Sequence, residues 1–337
     1  MKRPVAYLAG TGRGIPAAVM TNHDFAARGI ETTHDWIVER TGIHERRIAA
    51  EGTTTAHMAA DASRAAMARA GVQAGELDAI VLSTATADRL LPSTAVDVQA
   101  ALGATRAAAF DLSAACSGWL YGLTVGEGLI STGTAETVLV IGAEKMSAII
   151  DWSDRATCVL FGDGAGAAVL RRNKPNLGAA MRAPKGILSS FMRSDGTLAE
   201  LLWRPGGGAT VPFTEAMLTD RSHFVRMAGR EVFKHAVRSM SEAANRALDA
   251  AKLTGSDIDL MIPHQANVRI IEATAKHAGV PMDKVYVNVD RYGNTSSASI
   301  GIALDEAIEC GRVKEGSTVL MVAFGAGLTW ASMIVRF

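Results

Sequence analysis

The chain has 337 residues, is 48% hydrophobic and 20% charged, and carries 34 Lys plus Arg against 34 Asp plus Glu. That apolar fraction excludes disorder, and at about 150 residues per domain the length predicts two domains or one large one. Zero formal net charge argues against bulk binding to nucleic acid or to an anionic membrane.

No apolar run approaches the roughly 18 residues of a membrane span, and the apolar stretch of Met1-Lys-Arg-Pro-Val-Ala-Tyr-Leu-Ala-Gly is too short for a signal peptide. It reads as a strand turning at Gly10. Onward in chain order, the periodicity predicts a helix over 56–69, a strand over 79–83, a helix over 95–102 and a strand over 107–112. A helix over 117–130 and strands over 138–142 and 167–170 follow. After a long irregular stretch come a helix over 230–250, a strand over 260–262, helices over 269–277 and 299–309, and strands over 319–323 and 330–335. Short apolar strands between Ala-rich helices signify α/β layering, and continuous rather than alternating apolar runs signify sheets covered on both faces.

An internal echo organises these elements. Glu76-Leu-Asp-Ala-Ile-Val-Leu precedes Glu136-Thr-Val-Leu-Val-Ile-Gly by about 60 positions, and Asp257-Ile-Asp-Leu-Met-Ile precedes Ser317-Thr-Val-Leu-Met-Val-Ala by the same interval. Each half closes on a glycine-bearing strand, Gly164-Ala-Gly-Ala-Ala-Val-Leu and Gly325-Ala-Gly-Leu-Thr-Trp. Two similar halves, 1–182 and 183–337, are expected. The stretch 183–222, with Pro205-Gly-Gly-Gly, reads as a linker or a functional loop; no Lys-Ser/Thr follows the glycines, as a phosphate-cradling loop would require.

Three residues carry candidate chemistry. Cys116, in Phe110-Asp-Leu-Ser-Ala-Ala-Cys-Ser-Gly-Trp, falls where a buried strand turns into a helix, so helix amides and the positive dipole end favour a thiolate. The competing reading is a buried inert thiol, which suits Cys158 and Cys310; the three cysteines show neither a disulfide framework nor metal spacing. His264, in Met261-Ile-Pro-His-Gln-Ala-Asn, follows a strand at the edge where α/β proteins collect ligands. Asn294, in Tyr292-Gly-Asn-Thr-Ser-Ser-Ala-Ser, enters a helix, where it also reads as a plain cap.

Together Ala115-Cys-Ser-Gly, His264-Gln-Ala-Asn, Gly293-Asn-Thr-Ser-Ser-Ala-Ser and Phe324-Gly-Ala-Gly-Leu-Thr-Trp resemble β-ketoacyl-acyl-carrier-protein synthase III, the priming condensing enzyme of type II fatty acid synthesis. Trp36-Ile-Val-Glu-Arg-Thr-Gly-Ile and Phe161-Gly-Asp-Gly-Ala-Gly extend the likeness over nearly the whole chain. The resemblance implies a thiolase-like α/β fold of two similar halves in five αβαβα layers. It makes Cys116 the nucleophile that accepts an acyl group from acyl-CoA. His264, which must stay neutral, and Asn294 then donate to the thioester oxygen while malonyl-acyl carrier protein loses CO2. The backbone amides of Cys116 and Ala326 would hold the tetrahedral intermediate.

The family pattern further places coenzyme A against Trp36, Arg40, Thr41, Arg155, Gly229 and Asn267, with adenine stacked between Trp36 and Arg155. Trp36 otherwise reads as a packed helix residue. Arg230 stands where the family often has Asn. Leu91, by which one subunit of the family's dimer closes its partner's site, and Phe161 would bound the acyl pocket. Arg226, Arg230, Lys234 and Arg238 recur every four residues as a basic stripe, with Arg269 and Lys276 on the next helix; such a stripe is either a solvated face or a docking surface for the acidic carrier, for which Arg230, Lys234, Arg269 and Lys276 are the candidates. A cytoplasmic homodimer needing no metal or redox cofactor is expected. A secondary-metabolism relative that primes a polyketide or acylates an amine or hydroxyl is the alternative. A Cys–His hydrolase leaves Asn294 without a task, and a non-catalytic scaffold leaves all three residues without one.

Overall fold

The computed structural model describes residues 4–173 and 185–337; the expected boundary between residues 182 and 183 lies outside the described residues. In chain order the first half runs β1 (Ala6–Gly14), β2 (Val19–Thr21), α1 (His23–Ala27), α2 (His34–Thr41), β3 (Glu45–Arg47), α3 (Thr55–Ala70), β4 (Ala79–Ser83), α4 (Thr94–Leu102), β5 (Ala108–Leu112), α5 (Gly118–Ser131), β6 (Thr137–Glu144), α6 (Arg155–Cys158) and β7 (Gly164–Arg172). The second runs β8 (Gly186–Ser194), β9 (Leu202–Trp203), α7 (Met217–Asp220), β10 (Arg226–Met227), α8 (Gly229–Ala251), β11 (Leu260–Pro263), α9 (Val268–Ala278), α10 (Val289–Tyr292), α11 (Ser299–Glu309), β12 (Thr318–Gly325) and β13 (Thr329–Arg336).

Two large sheets result, in the orders β1-β7-β6-β4-β5 and β8-β13-β12-β11, beside two-stranded pairs β2–β3 and β9–β10. The echo in the sequence is the pairing of their parallel strands: Ala79 lies beside Val138 in β4–β6, and Leu260 beside Val319 in β11–β12, the same interval in both halves. Each later strand of a pair then meets an antiparallel neighbour, β7 or β13. Helices α3 and α4 cover the outer face of the first sheet, α5 and α11 lie between the sheets, and α8 and α9 cover the second. This is the five-layered arrangement expected. Buried apolar side chains fill the spaces between layers: Leu82, Val98 and Ile141 under α3 and α4, Trp119, Leu123 and Leu304 between the sheets, and Met240, Ile271 and Val322 beneath α8 and α9.

Two expectations are corrected. β1 does not turn at Gly10; it continues to Gly14, because its glycines accommodate a helix, not a turn. A β-carbon on Gly12 would lie 2.3 Å from the Ala62 carbonyl oxygen of α3. The described part of 183–222 is no simple linker either. Residues Gly186–Ser194 form β8, the edge strand paired with β13, and the short β9–β10 ribbon that follows reaches back to the site described below.

Candidate active site

Both inner helices begin in tight turns, and these turns position the chemistry. β5 ends at Leu112, and the chain then passes through a single helical turn, Ala115–Ser117, before α5. Ala115 is left-handed there, with φ 43°, which aims the following Cys116 side chain out of the line of the strand. The bare α-carbon of Gly325 allows β12 to approach: a β-carbon would sit 2.6 Å from the Cys116 nitrogen. His264 follows β11, held by its backbone N–H donating to the Val322 carbonyl at 2.7 Å. Asn294 enters the second turn, Ser296–Ala298, ahead of α11.

These three residues line one cavity. Phe161, Gly229 and Asn267 line it too, together with Leu160, Leu202, Met227 and Phe324. Leu202 and Met227 come from the β9–β10 ribbon, inside or just after the stretch read as linker or loop, and nothing in the sequence singled them out.

Cys116 is 7% exposed, and burial pushes its thiol up to about 12, opposed by a hydrogen bond to Ser296 and reinforced by the charge of Glu144. A helix N-terminus contributes about 0.3–2 kcal/mol, at most about one and a half pKa units, which is too little to restore ionisation at neutral pH. The expectation of a resting thiolate is therefore corrected. The sulfur keeps its proton until attack, and something must take it.

His264 is 4% exposed, and desolvation takes its pKa down to about 4, so it is neutral at pH 7. Its Nδ1 lies 2.6 Å from the Ser299 hydroxyl. With that hydroxyl donating, the ring proton belongs on Nε2, the nitrogen left to serve the cavity. Ser299 is the hydrogen-bond partner of the imidazole, and it lies inside the motif already quoted around Asn294. Between pH 6.5 and about 4 the unfolded chain binds a proton here that the folded chain does not. The imidazole signal of His264 in an NMR titration is thus expected to move with a midpoint near 4, and Tm to fall as pH drops through that window.

Asn294 satisfies both readings at once. Its Oδ1 accepts from the Ser296 backbone N–H at 2.9 Å, a cap on the turn, and this fixes the amide so that Nδ2 remains as the free donor. The Asn294 backbone is tied to the Phe161 segment through Leu160 and Gly162.

The remaining predicted residues are distributed unevenly. Trp36 and Arg155 line a second groove with Glu31 and Thr33. The Arg155 guanidinium lies 4.7 Å from the Trp36 ring centroid, held by the Glu31 carbonyl, and Arg40 lies over the same ring at 4.5 Å. At that separation no base fits between Trp36 and Arg155, so the expected sandwich requires Arg155 to swing away. Asn267 Nδ2 donates to the Arg40 carbonyl at 2.8 Å, linking groove and cavity. Thr41 is corrected: it is buried, its hydroxyl donating to Ile37 O and accepting from Ile43 N, so it braces the end of α2 and offers no phosphate contact. Ala326 follows Gly325 in the turn beside Cys116 but is not part of the cavity wall. Leu91 is 86% exposed and stands away from this chain's own cavity. Arg226 lies on β10, not on α8, so the helical part of the stripe is Arg230, Lys234 and Arg238. These three, with Arg269 and Lys276, are exposed, and Gly229, Val232 and Phe233 between them line the cavity. Among the described residues, no group of three or more His, Cys, Asp or Glu is placed to hold a metal, and no helix is long and apolar enough to cross a membrane.

Comparison with known proteins accords with this geometry. Residues 110–196 match the family 3-oxoacyl-[acyl-carrier-protein] synthase III, and residues 248–337 match its C-terminal part. A β-ketoacyl-[acyl-carrier-protein] synthase III of Roseiflexus castenholzii is 49% identical over 332 residues, covering 98% of each chain. The crystal structure of 3-oxoacyl-[acyl-carrier-protein] synthase III from Aquifex aeolicus superposes with a TM-score of 0.89 at 46% identity, over 98% of this chain and 100% of that one. The priming β-ketosynthase of the R1128 polyketide pathway superposes at 0.88 with 36% identity, over 99% of this chain and 96% of that one. With its thiolase-type layers and a cysteine, a neutral histidine and an asparagine on one cavity, the chain belongs to the β-ketoacyl-acyl-carrier-protein synthase III family of acyl-transferring condensing enzymes.

Proposed function

We propose that this chain primes fatty acid synthesis: Cys116 takes an acyl group from acyl-CoA, and the acyl-enzyme condenses with malonyl-acyl carrier protein to give 3-oxoacyl carrier protein, CoA and CO2. The convergence of Cys116, His264 and Asn294 on one cavity carries this reading. A thiol suits the first step because its thioester forms at little free-energy cost and stays electrophilic. In the second step the malonyl carboxyl carbon leaves as CO2, and charge builds on the thioester oxygen. His264 Nε2–H and Asn294 Nδ2–H are neutral donors that meet this charge, each worth about 3–4 kcal/mol. The carbanion attacks the acyl carbonyl, whose developing charge is met by the Cys116 amide, with the Ala326 amide of the adjoining turn as its partner once that turn closes on the site; the Cys116 thioester bond then breaks and the sulfur takes up a proton to return to the thiol. No metal or redox cofactor has a task in this sequence.

The Trp36–Arg155 groove and the Gly229–Asn267 side of the cavity would take the nucleotide and pantetheine arms of CoA, with Arg155 opening to admit the base. The exposed cations Arg230, Lys234, Arg269 and Lys276 beside the mouth would receive an acidic carrier. Exposed rim charges act mainly on encounter. Reversing Lys234 and Arg269 to Glu is expected to raise KM for malonyl-carrier about tenfold at low salt while leaving acyl-CoA transfer unchanged; unchanged malonyl-carrier kinetics at low salt would remove the docking role. We infer a homodimer from the edge of the first sheet. β5 has a free side there with Phe110 exposed, and Leu90 and Leu91 nearby are 84% and 86% exposed, large apolar groups that a second copy would cover. Leu91 would then reach the partner's acyl pocket near Phe161.

The likeness to a polyketide priming ketosynthase sustains one second reading, the same chemistry delivered to a different carrier. Mixing the protein with acyl-CoAs and then with malonyl-loaded carriers, with intact-mass detection, tests both readings. Acylation followed by condensation supports the proposal, and the carrier that supports turnover separates fatty acid from polyketide priming.

A further inference from the structure

The duplicated fold sets the turn that carries Cys116 against the equivalent turn of the other half. Ala115 before α5 and Ser296 before α11 are both non-glycine residues in left-handed backbone, with φ 43° and 48°. Across this junction the Cys116 thiol donates to Ser296 Oγ at 3.5 Å, and the Ser296 hydroxyl donates to Glu144 Oε1 at 3.1 Å. Ser296 is 2% exposed and Glu144, at the end of β6, is 0% exposed. Glu144 also accepts from Ser297 Oγ and Thr86 Oγ1, both at 2.7 Å, from Thr84 Oγ1 at 3.3 Å and from Ala85 N at 3.0 Å. None of these partners is a cation. The neighbouring Lys145 turns its ammonium to the Thr53 carbonyl, Asp163 is taken by Ala49 and Ser147, and His264 by Ser299. Burial raises the Glu144 carboxyl above the usual carboxylate range, opposed by the hydrogen bonds from these donors, and no cation adds to that opposition. Such a group is what a buried thiol lacking its own base requires.

We propose that Ser296 is a further catalytic residue, and Glu144 the positioning residue behind it, in a relay that takes the Cys116 proton during acyl transfer. The proposal rests on the acyl-CoA reading above. As sulfur bonds to the thioester carbon, the thiol proton passes to Ser296 Oγ, the Ser296 proton passes to Glu144 Oε1, and the carbonyl electron pair moves to its oxygen. As that oxygen returns its pair, the carbon–sulfur bond to CoA breaks and the proton goes back through Ser296 to the departing CoA sulfur. Glu144 is again a carboxylate, and the products are acyl-Cys116 and CoA thiol.

Simple electrostatics makes the opposite prediction. A carboxylate near Cys116 opposes a thiolate, so removing its charge should ease ionisation. The two accounts differ in sign. The deciding measurement is the rate of Cys116 alkylation by iodoacetamide from about pH 6 to 9, read by mass in a Cys310→Ser background, beside single-turnover acylation by acetyl-CoA. The relay predicts that Glu144→Gln and Ser296→Ala slow both reactions about 100-fold at neutral pH and move the alkylation profile to higher pH, with partial recovery in Glu144→Asp. Alkylation by Glu144→Gln at an equal or greater rate overturns the relay. Should Glu144→Gln not fold, Ser296→Gly decides, since glycine accepts φ 48° and leaves the other donors to Glu144 in place; an undiminished rate there also overturns it. Iodoacetamide needs neither CoA nor carrier. Slowed alkylation in the variants with no acetylation of the unaltered protein would therefore keep the relay and defeat the substrate reading.

Discussion

Cys116→Ala is expected to eliminate the acyl adduct formed with acyl-CoA and to lower condensation on the order of 10⁴-fold or more. Cys116 alone among the three cysteines lines the cavity with His264 and Asn294. Cys158 is wholly buried and Cys310 lies at the end of α11 beside the Tyr286 hydroxyl, so neither can substitute. The change removes one sulfur from a small site and should leave Tm nearly unchanged. The donors on His264 and Asn294 remain, so decarboxylation of malonyl-carrier should continue without condensation, yielding acetyl-carrier detectable by mass. Loss of acylation and decarboxylation together would mean that the two steps do not use separate groups.

Asn294→Ala is expected to lower decarboxylation about 10²–10³-fold, the usual effect of deleting one preorganised oxyanion donor, while acyl transfer from CoA falls far less. The substitution also deletes the cap that Asn294 Oδ1 provides to Ser296 N–H, costing about 1 kcal/mol of stability. Asn294→Asp separates the two effects. It keeps an oxygen for the Ser296 amide and replaces the donor with a charge that repels the developing oxyanion. A stable Asn294→Asp protein that acylates normally and barely decarboxylates is the expected result, measured by single-turnover acylation and by CO2 release. Equal loss of both steps would point to a hydrolase-like scheme instead.

The layered fold was legible because its central strands are continuous apolar runs repeated at a fixed interval, and β4, β6, β11 and β12 lie where that repeat places them. β8 was not legible. It is an edge strand whose pattern turns polar toward Ser194, and its partner β13 comes more than a hundred residues later. Gly10 misled for a related reason: a glycine in a strand marks either a turn or a close neighbour, and only the distant helix α3 decides which.

At the site, Cys116, His264 and Asn294 could be read from local context, since each stands where a strand or loop enters a helix. Their supporting residues could not. Ser296 and Ser299 both lie inside a motif already noted, but which hydroxyl meets the imidazole and which the thiol is settled only in three dimensions. Glu144 ends an otherwise apolar strand, a signal in itself that the apolar run overshadowed. The ionisation of Cys116 was misjudged because a helix terminus is visible in sequence, whereas the depth of burial that outweighs it is not. Thr41 was likewise misplaced, its hydroxyl being claimed by its own helix.

The most direct test of the central claim follows carbon through one turnover. The protein is loaded with an acyl-CoA, freed of excess, and mixed with malonyl-carrier bearing a labelled carboxyl carbon. One labelled CO2 and one 3-oxoacyl carrier are predicted for every acyl group lost from Cys116. Free acid released without CO2, or CO2 released while the acyl group stays on the enzyme, would contradict it.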